Sequence, residues 1–218
     1  MNPDILYEDQ DIIVCVKPAG IATQSSRIGT PDMVSILKNH IYRNSEKKSE
    51  PYLSVIHRLD QPVEGLLVFA KNQPAAAKLN RQLTQYGFGK YYRAMLSGTP
   101  SPKEDRLCDY LVKDGRTNSS HICTQDTPGA KKAVLHYQVL ESRPPYSLVG
   151  VTLETGRHHQ IRVQMAHLGC PIVGDKKYGD ASQVQTADTL QLYACRLTFR
   201  HPYTGRPMDF HLDRLSSL

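Results

Sequence analysis

Short apolar runs, some alternating with polar residues, recur along most of the chain and are separated by turn residues. Such runs predict β-strands. The predicted strands are residues 5–7, 11–16, 53–56, 66–70, 91–96, 146–153, 190–199 and 208–212. Residues 106–140 predict several short strands around turns, and within them Ala133, Leu135, Tyr137 and Val139 alternate as in a half-buried strand. The first two and the last two strands predict an opening and a closing hairpin.

Three segments place apolar residues three or four positions apart, which predicts helices. The first begins with Thr30 as its cap and Pro31 as its first residue, and the second begins at Pro74. The third runs from about His158 to Leu168, with Ile161 in its apolar stripe. Runs of strands broken by a few helices, without regular alternation, predict an α+β fold with mostly antiparallel pairing.

The composition is that of a globular protein, with 39% hydrophobic and 22% charged residues in 218. No stretch has the pattern of a secretory signal or a membrane span. The five cysteines are scattered and form no Cys-x-x-Cys pair, so we expect reduced, buried thiols in a cytoplasmic protein. The net charge of +6 and the pI near 9.0 suit a polyanionic partner.

The first segment with chemical potential is the connection His57–Gly65, between two predicted strands. Asp60 lies in it, two residues after Arg58, whose charge favours an ionised carboxylate. An ionised aspartate can serve as a nucleophile. The same residue could equally bond its own backbone within a turn, as aspartates commonly do.

The second segment surrounds the third predicted helix. On a helix from His158, that residue and Arg162 share one face, and Arg162 lies near the edge of the buried stripe. From there its guanidinium can reach inward to a buried carboxylate in forked geometry, or it can belong to a solvated basic face. Adjacent His158 and His159 diverge on a helix, and with His167 they have no carboxylate at ligand spacing, so we expect no metal site.

Two further segments complete the set. In Gly89-Lys90-Tyr91-Tyr92-Arg93, an aromatic side chain can stack on a flipped base or simply pack between sheet and helix. The glycine-rich loop 169–179 lacks the Gly-Lys-Ser/Thr ending of a P-loop, and nothing in the sequence implies ATP.

Four motifs in order resemble the RluA-type pseudouridine synthases. The opening 5–9 with Lys17-Pro18-Ala19-Gly20 resembles the start of that family, and His57-Arg58-Leu59-Asp60 with Gly65 resembles its catalytic motif. Lys90-x-Tyr92-x-Ala94 resembles its tyrosine motif. Gly156-Arg157-x-His159-Gln160-Ile161-Arg162, with 167–175 after it, resembles its third block. The likeness covers nearly the whole chain.

The resemblance implies a mixed, largely antiparallel sheet with flanking helices and a central basic cleft. It implies that Asp60 is the catalytic aspartate and that Tyr92 stacks on the target base and assists proton transfer. It further implies that Arg162 forms a salt bridge with the catalytic carboxylate and that Arg58 lies where the flipped nucleotide sits. The other implied substrate-binding residues are Lys90, Arg157, His159 and Gln160.

The implied function is isomerisation of uridine to pseudouridine in tRNA or rRNA by one catalytic domain, residues 1–218, in the cytoplasm. RNA is the expected partner; no metal, cofactor, DNA or membrane is expected, and the sequence gives no oligomeric state. Gln61-Pro62-Val63-Glu64 and His158 depart from the residues frequent in the family. We also expect the added small RNA-binding domain of some relatives to be missing. Two other functions fit less of the pattern: an RNA-binding protein without catalysis, and a metal-dependent hydrolase built on the histidines.

Overall fold

Eleven strands and three helices make up the secondary structure of the described residues. The computed structural model describes residues 2–25, 29–46, 49–85, 87–179, 187–215 and 217. The helices are α1 Met33–Asn44, α2 Gln73–Thr84 and α3 Gln160–His167. The strands are β1 Asp4–Glu8, β2 Ile12–Lys17, β3 Ser54–Val55, β4 Glu64–Ala70, β5 Gly89–Ser97, β6 Glu104–Asp114, β7 Ser119–Cys123, β8 Lys131–Arg143, β9 Tyr146–Leu153, β10 Leu192–Arg200 and β11 Pro207–His211.

The chain divides into two compact units. The first comprises Met1–Lys90 and Ala194–Leu212. Its strands follow the order β1-β2-β4-β10-β11, with β3 also paired to β4, and β1–β2, β2–β4 and β10–β11 are antiparallel. Leu79 of α2 packs on this sheet among Val14, Val68 and Phe199. Every residue of β2 is buried, as its nearly unbroken apolar run predicts.

The second unit comprises Tyr91–Tyr193 and Asp213–Leu218. Its antiparallel strands follow the order β5-β9-β8-β6-β7. Val163 of α3 packs with Leu111 of β6 and Ala133 of β8. The α+β class, the flanking helices and the largely antiparallel pairing are therefore confirmed. The basic cleft and the assignment of residues 1–218 to one catalytic domain stay predictions.

Helix α1 begins two residues later than predicted. Asp32, not Thr30, is its N-cap: the Asp32 carboxylate accepts a hydrogen bond from Ser35 N at 2.7 Å, and Ser35 Oγ accepts from Asp32 N at 3.0 Å. This reciprocal capping box satisfies two backbone donors. Pro31 therefore precedes the helix.

The predicted short strands of residues 106–140 are wrong in length, because β6 has 11 residues and β8 has 13. The expectation of buried thiols fails at Cys108, which is exposed, although none of the five cysteines, all within the described ranges, forms a disulfide. Among the described residues, no helix combines the length and hydrophobicity needed to cross a membrane.

Candidate active site

Asp60 lies in the connection between β3 and β4, in the first unit, and is half-buried. Val63 N donates to Asp60 O at 3.0 Å and closes a turn directly after it. On the other side, Thr23 Oγ1 donates to Leu59 O at 3.1 Å and accepts from Leu59 N at 3.2 Å. The backbone is thus held at Leu59 and at the carbonyl of Asp60 itself, while Arg58 is exposed.

A fully buried lysine, Lys17, holds the Asp60 connection through hydrogen bonds to backbone carbonyls. Lys17 Nζ donates to Pro18 O at 2.9 Å, to Ile21 O at 2.7 Å and to Gln61 O at 3.0 Å. All three donors of the ammonium are thereby used. Gly20 N also donates to Gln61 O at 2.9 Å, so the residue after Asp60 is bonded twice to the Lys17–Ile21 segment.

Lys17 also interacts electrostatically with Asp60, the candidate catalytic residue. Burial lowers the pKa of Lys17 to about 8, and the charges of Asp60 and Glu64 act in the opposite direction. The ammonium and the Asp60 carboxylate therefore stabilise each other's ionised forms. Sequence reasoning noticed Lys17 only in the segment Lys17-Pro18-Ala19-Gly20, which resembles the start of the family, and credited Arg58 with this effect.

Gly65, at the start of β4, is required by the backbone. Its φ is +144°, and an added Cβ would collide with the backbone of Ala194 on β10. Only glycine adopts this conformation without strain and allows so close an approach. The glycine of the catalytic motif therefore sets the direction in which the chain leaves the Asp60 connection.

His57 opens the motif as a packed, neutral ring. Its Nε2 accepts from Val68 N at 3.4 Å, and its edge packs on Phe88 with ring centroids 5.4 Å apart. Burial lowers the pKa of His57 to about 3, with Lys90 adding to the shift. A ring that stays neutral near pH 7 suits a structural role.

In the second unit, the segment before α3 corrects the predicted helix start. His159 is the N-cap and has a left-handed φ of 56°, so His158 lies outside the helix. The predicted shared face of His158 and Arg162 is therefore wrong. The two histidine rings do not diverge but stack, with centroids 3.7 Å apart. Gln160 Oε1 accepts from Thr155 Oγ1 and from Arg157 N, and these bonds fix the approach to the helix.

Arg162 points inward to a buried carboxylate, which is one of the two alternatives that its position in the sequence left open. Its Nε and Nη2 donate to the two oxygens of Asp175 at 2.8 and 2.7 Å, with side-chain exposures of 7% and 1%. Burial alone would raise the pKa of Asp175, but the Arg162 bonds and the backbone N–H groups of Lys177 and Tyr178 hold it below its usual value. The pairing of Arg162 with Asp60 stays a prediction.

Tyr178 connects Arg162 to His159. The guanidinium carbon lies 5.1 Å from the centroid of the Tyr178 ring. Tyr178 Oη accepts from Ser120 N at 2.8 Å and is hydrogen-bonded to His159 Nδ1, 2.7 Å away. Burial, followed by the charge of Arg162, lowers the pKa of His159 to about 4, so the ring is neutral near pH 7. Sequence reasoning included Asp175 in the third block without giving it a role, and it missed Tyr178; both residues lie in the loop that lacks P-loop spacing.

The remaining predicted residues differ in exposure. Tyr92 lies on β5 opposite Val151 and is 7% exposed. Lys90, on the same strand, is also buried. Arg157 is exposed, and its Nε donates to Lys132 O at 2.8 Å. Their substrate contacts stay predictions.

Comparison with known proteins gives a family match over residues 11–167, to the model described as RNA pseudouridylate synthase. The ribosomal large subunit pseudouridine synthase D of Vibrio parahaemolyticus is 34% identical over 95% of this chain and 66% of its own length. The uncharacterized RNA pseudouridine synthase YlyB of Bacillus subtilis is 35% identical over 96% of this chain and 68% of its own length. The chain thus spans about two thirds of the length of these relatives. The solved structure of human RNA pseudouridylate synthase domain containing 4 shares the fold, with a TM-score of 0.78 at 24% identity over 96% of this chain and 88% of that one.

Proposed function

This chain belongs to the RNA pseudouridylate synthase family, and on that premise we propose that it converts uridine in RNA to pseudouridine. The family match over residues 11–167 carries the proposal, because it includes the Asp60 connection, Tyr92 and Arg162. In this reaction the bond between uracil nitrogen and ribose breaks, the base turns, and its carbon 5 bonds to the ribose instead. The proton on that carbon is released, and the nitrogen freed from the ribose takes up a proton in its place. Substrate and product are isomers, so the reaction consumes no cofactor.

In the proposed mechanism Asp60 is the nucleophile. A target uridine must leave its stack before its glycosidic bond can be reached. Support for an ionised Asp60 comes from the buried ammonium of Lys17, whose charge favours the carboxylate, and from the turn that fixes the Asp60 backbone. An ionised carboxylate aimed by fixed backbone contacts is what nucleophilic catalysis requires.

Tyr92 and Arg162 carry supporting roles. We assign base stacking to Tyr92 and orientation of the reacting carboxylate to Arg162, as the family resemblance implies. The fork of Arg162 is already held by Asp175, which limits the conformations of the guanidinium.

We propose large-subunit ribosomal RNA as the substrate, in the cytoplasm. The name of the 34% identical Vibrio relative refers to that RNA. Pseudouridine mapping of ribosomal and transfer RNA, with and without the gene for this chain, decides the matter. Loss of a modification from transfer RNA alone would contradict the ribosomal assignment.

Asp60→Asn tests the catalytic proposal. The amide keeps the shape of the side chain but removes the charge and the nucleophile. Tritium release from RNA labelled at uridine carbon 5 should fall below detection, while folding and RNA binding persist, because affinity comes mainly from phosphate contacts. Asp126→Asn, a change of the same type at an exposed position, should release tritium like the unaltered protein.

Each outcome separates two functions. Full release by Asp60→Asn would remove Asp60 from the mechanism. No release by the unaltered protein on ribosomal or transfer RNA, with binding intact, would favour an RNA-binding protein without catalysis. Release that survives a chelator would exclude the metal-dependent hydrolase.

A further inference from the structure

The turn between β10 and β11, residues 201–206, is closed by its own hydrogen bonds. His201 N donates to Arg206 O at 2.8 Å, and Gly205 N donates to His201 O at 2.9 Å. His201 Nδ1 accepts from Tyr203 N at 3.3 Å and from Thr204 N at 3.2 Å. The backbone on both sides of Tyr203 is therefore fixed.

The turn is also anchored to the rest of the first unit. His201 is 5% exposed. Because its Nδ1 accepts, its Nε2 carries the proton and donates to Asp9 Oδ2 at 2.7 Å. Asp9 Oδ1 in turn accepts from Asp11 N and Ile12 N, in the turn between β1 and β2. Protein donors thus account for the carboxylate of Asp9, and the anchoring is structural.

This rigid turn presents an aromatic ring to solvent. The Tyr203 side chain is 80% exposed, far more than the other exposed large hydrophobic residues among those described. Lys78 Nζ, from α2, lies 5.9 Å from the ring centroid. A solvent-exposed aromatic ring on a fixed backbone offers a face on which a nucleic-acid base can stack.

Four cations lie on α2 and on the β10–β11 hairpin that carries the ring. Lys78, Arg81, Arg200 and Arg206 are all exposed. Lys78 and Arg81 share a face of α2 at a spacing of three residues, and Gln82 joins that helix to the backbone of Arg200 through bonds of 2.8 and 2.7 Å. Within the described ranges, no carboxylate lies within 4.0 Å of any of the four cations, whereas Lys38 and Lys71 each pair with a glutamate.

We propose that Tyr203 and the four cations, the Tyr203 patch, bind a single-stranded segment of the RNA outside the target nucleotide. One base stacks on Tyr203, and the cations contact the flanking phosphates. An aromatic platform beside unpaired cations is the usual arrangement for single-stranded nucleic acid. The choice of RNA as the polyanion rests on the proposed function.

The test is filter binding of a radiolabelled large-subunit ribosomal RNA transcript. Tyr203→Leu should weaken binding about 5- to 100-fold, the range for loss of one base–aromatic stack. Tyr203→Phe keeps the ring and should bind like the unaltered protein. Tyr52→Leu is the matched control, since Tyr52 is also an exposed tyrosine, at 43%. Lys78→Ala should reduce the slope of log affinity against log salt by about 1.

Tritium release, measured on the same preparations, separates this inference from the proposed function. RNA binding without tritium release would contradict the proposed isomerase activity. The comparison of Tyr203→Leu with Tyr203→Phe and Tyr52→Leu would still test whether the Tyr203 patch binds RNA. Normal release with unchanged affinity in Tyr203→Leu would overturn the patch and leave the isomerase standing. Equal losses in Tyr203→Leu and Tyr52→Leu, or no RNA binding at all, would also overturn it. Thermal unfolding should be unchanged in Tyr203→Leu, because the side chain is exposed.

Discussion

Replacing Lys17 with methionine tests how the Asp60 connection is held. Methionine fills much of the same space but removes the ammonium that bonds the carbonyls of Pro18, Ile21 and Gln61. The Gln61 carbonyl keeps its bond from Gly20 N, so the turn after Asp60 is loosened rather than released. Loss of a group that positions a reacting residue costs about ten- to a thousandfold in rate, and we expect that loss in tritium release.

The stability change has a pH signature. The pKa of Lys17 is lowered from 10.5 to about 8 by burial, against the charges of Asp60 and Glu64. Between these two values the unfolded chain binds a proton that the folded protein has released, so stability rises with pH. At about 1.4 kcal/mol per pH unit, the free energy of unfolding should rise by about 2 kcal/mol from pH 7 to 9.5 relative to Lys17→Met, which has no such group.

Activity should follow the opposite course. The protonated form of Lys17 is the one that stabilises an anionic Asp60, so turnover of the unaltered protein should fall as the pH rises through about 8. The residual turnover of Lys17→Met should lack that fall. A gain in stability together with a loss of rate distinguishes deprotonation of Lys17 from general alkaline damage.

Denaturant unfolding and tritium release at several pH values provide the measurements. Lys38→Met is the matched control, because Lys38 forms an exposed pair with Glu50, and such pairs contribute about 0–1 kcal/mol. A stability difference between Lys17→Met and the unaltered protein that stayed flat from pH 7 to 9.5, with full turnover, would refute the reasoning.

Two further substitutions test the roles of Arg162 and Gly65. Arg162→Lys should lower tritium release about ten- to a thousandfold and reduce stability in urea unfolding, since a point charge cannot reproduce the two-pronged bond to Asp175; unchanged release would remove Arg162 from the mechanism. Gly65→Ala should destabilise the protein by about 2 kcal/mol or more, because of its φ and the collision with Ala194. Gly115→Ala, with open space around it, should stay within about 0.5 kcal/mol in the same assay.

Strand existence was largely predictable because alternation and turn residues are local signals. The opening hairpin, β9 at Tyr146–Leu153 and the closing hairpin all lie where the pattern placed them. The lengths of β6 and β8 were not predictable, because the ends of these strands carry exposed polar residues such as Lys131 and Lys132. Pairing with a neighbouring strand, and not local hydrophobicity, extends a strand through such residues.

The first residues of two helices were mispredicted because the sequence offers more than one possible N-cap residue. Thr30 with Pro31 satisfied the general rule for a start, but Asp32 forms a reciprocal box with Ser35. At the third helix, the left-handed backbone of His159 has no sequence signal, since histidine adopts it only occasionally. The stacking of the two histidines follows from that backbone turn and was equally out of reach.

The order of the motifs predicted the candidate site residues, but it did not predict the residues that hold them in place. Lys17 contacts Gln61 across 44 positions, and Tyr178 contacts Ser120 across 58. No local period links residues so far apart. Asp175 was visible as a residue of the third block, but its role as the partner of Arg162 needed the fold of the loop that returns it to α3.

The buried cations Lys17, in the first unit, and Arg162, in the second, are stabilised in different ways, and this difference bears on their proposed roles. Arg162 is paired with the carboxylate of Asp175, although its charge still lowers the pKa of His159. Lys17 bonds only neutral carbonyls in the contacts described above, so its charge is solvated but not cancelled. A buried, uncancelled charge is costly, as its lowered pKa records. Asp60 and Glu64 are the charges that act favourably on it, so keeping this lysine ionised at neutral pH gives Asp60 the electrostatic support that its proposed role as nucleophile requires.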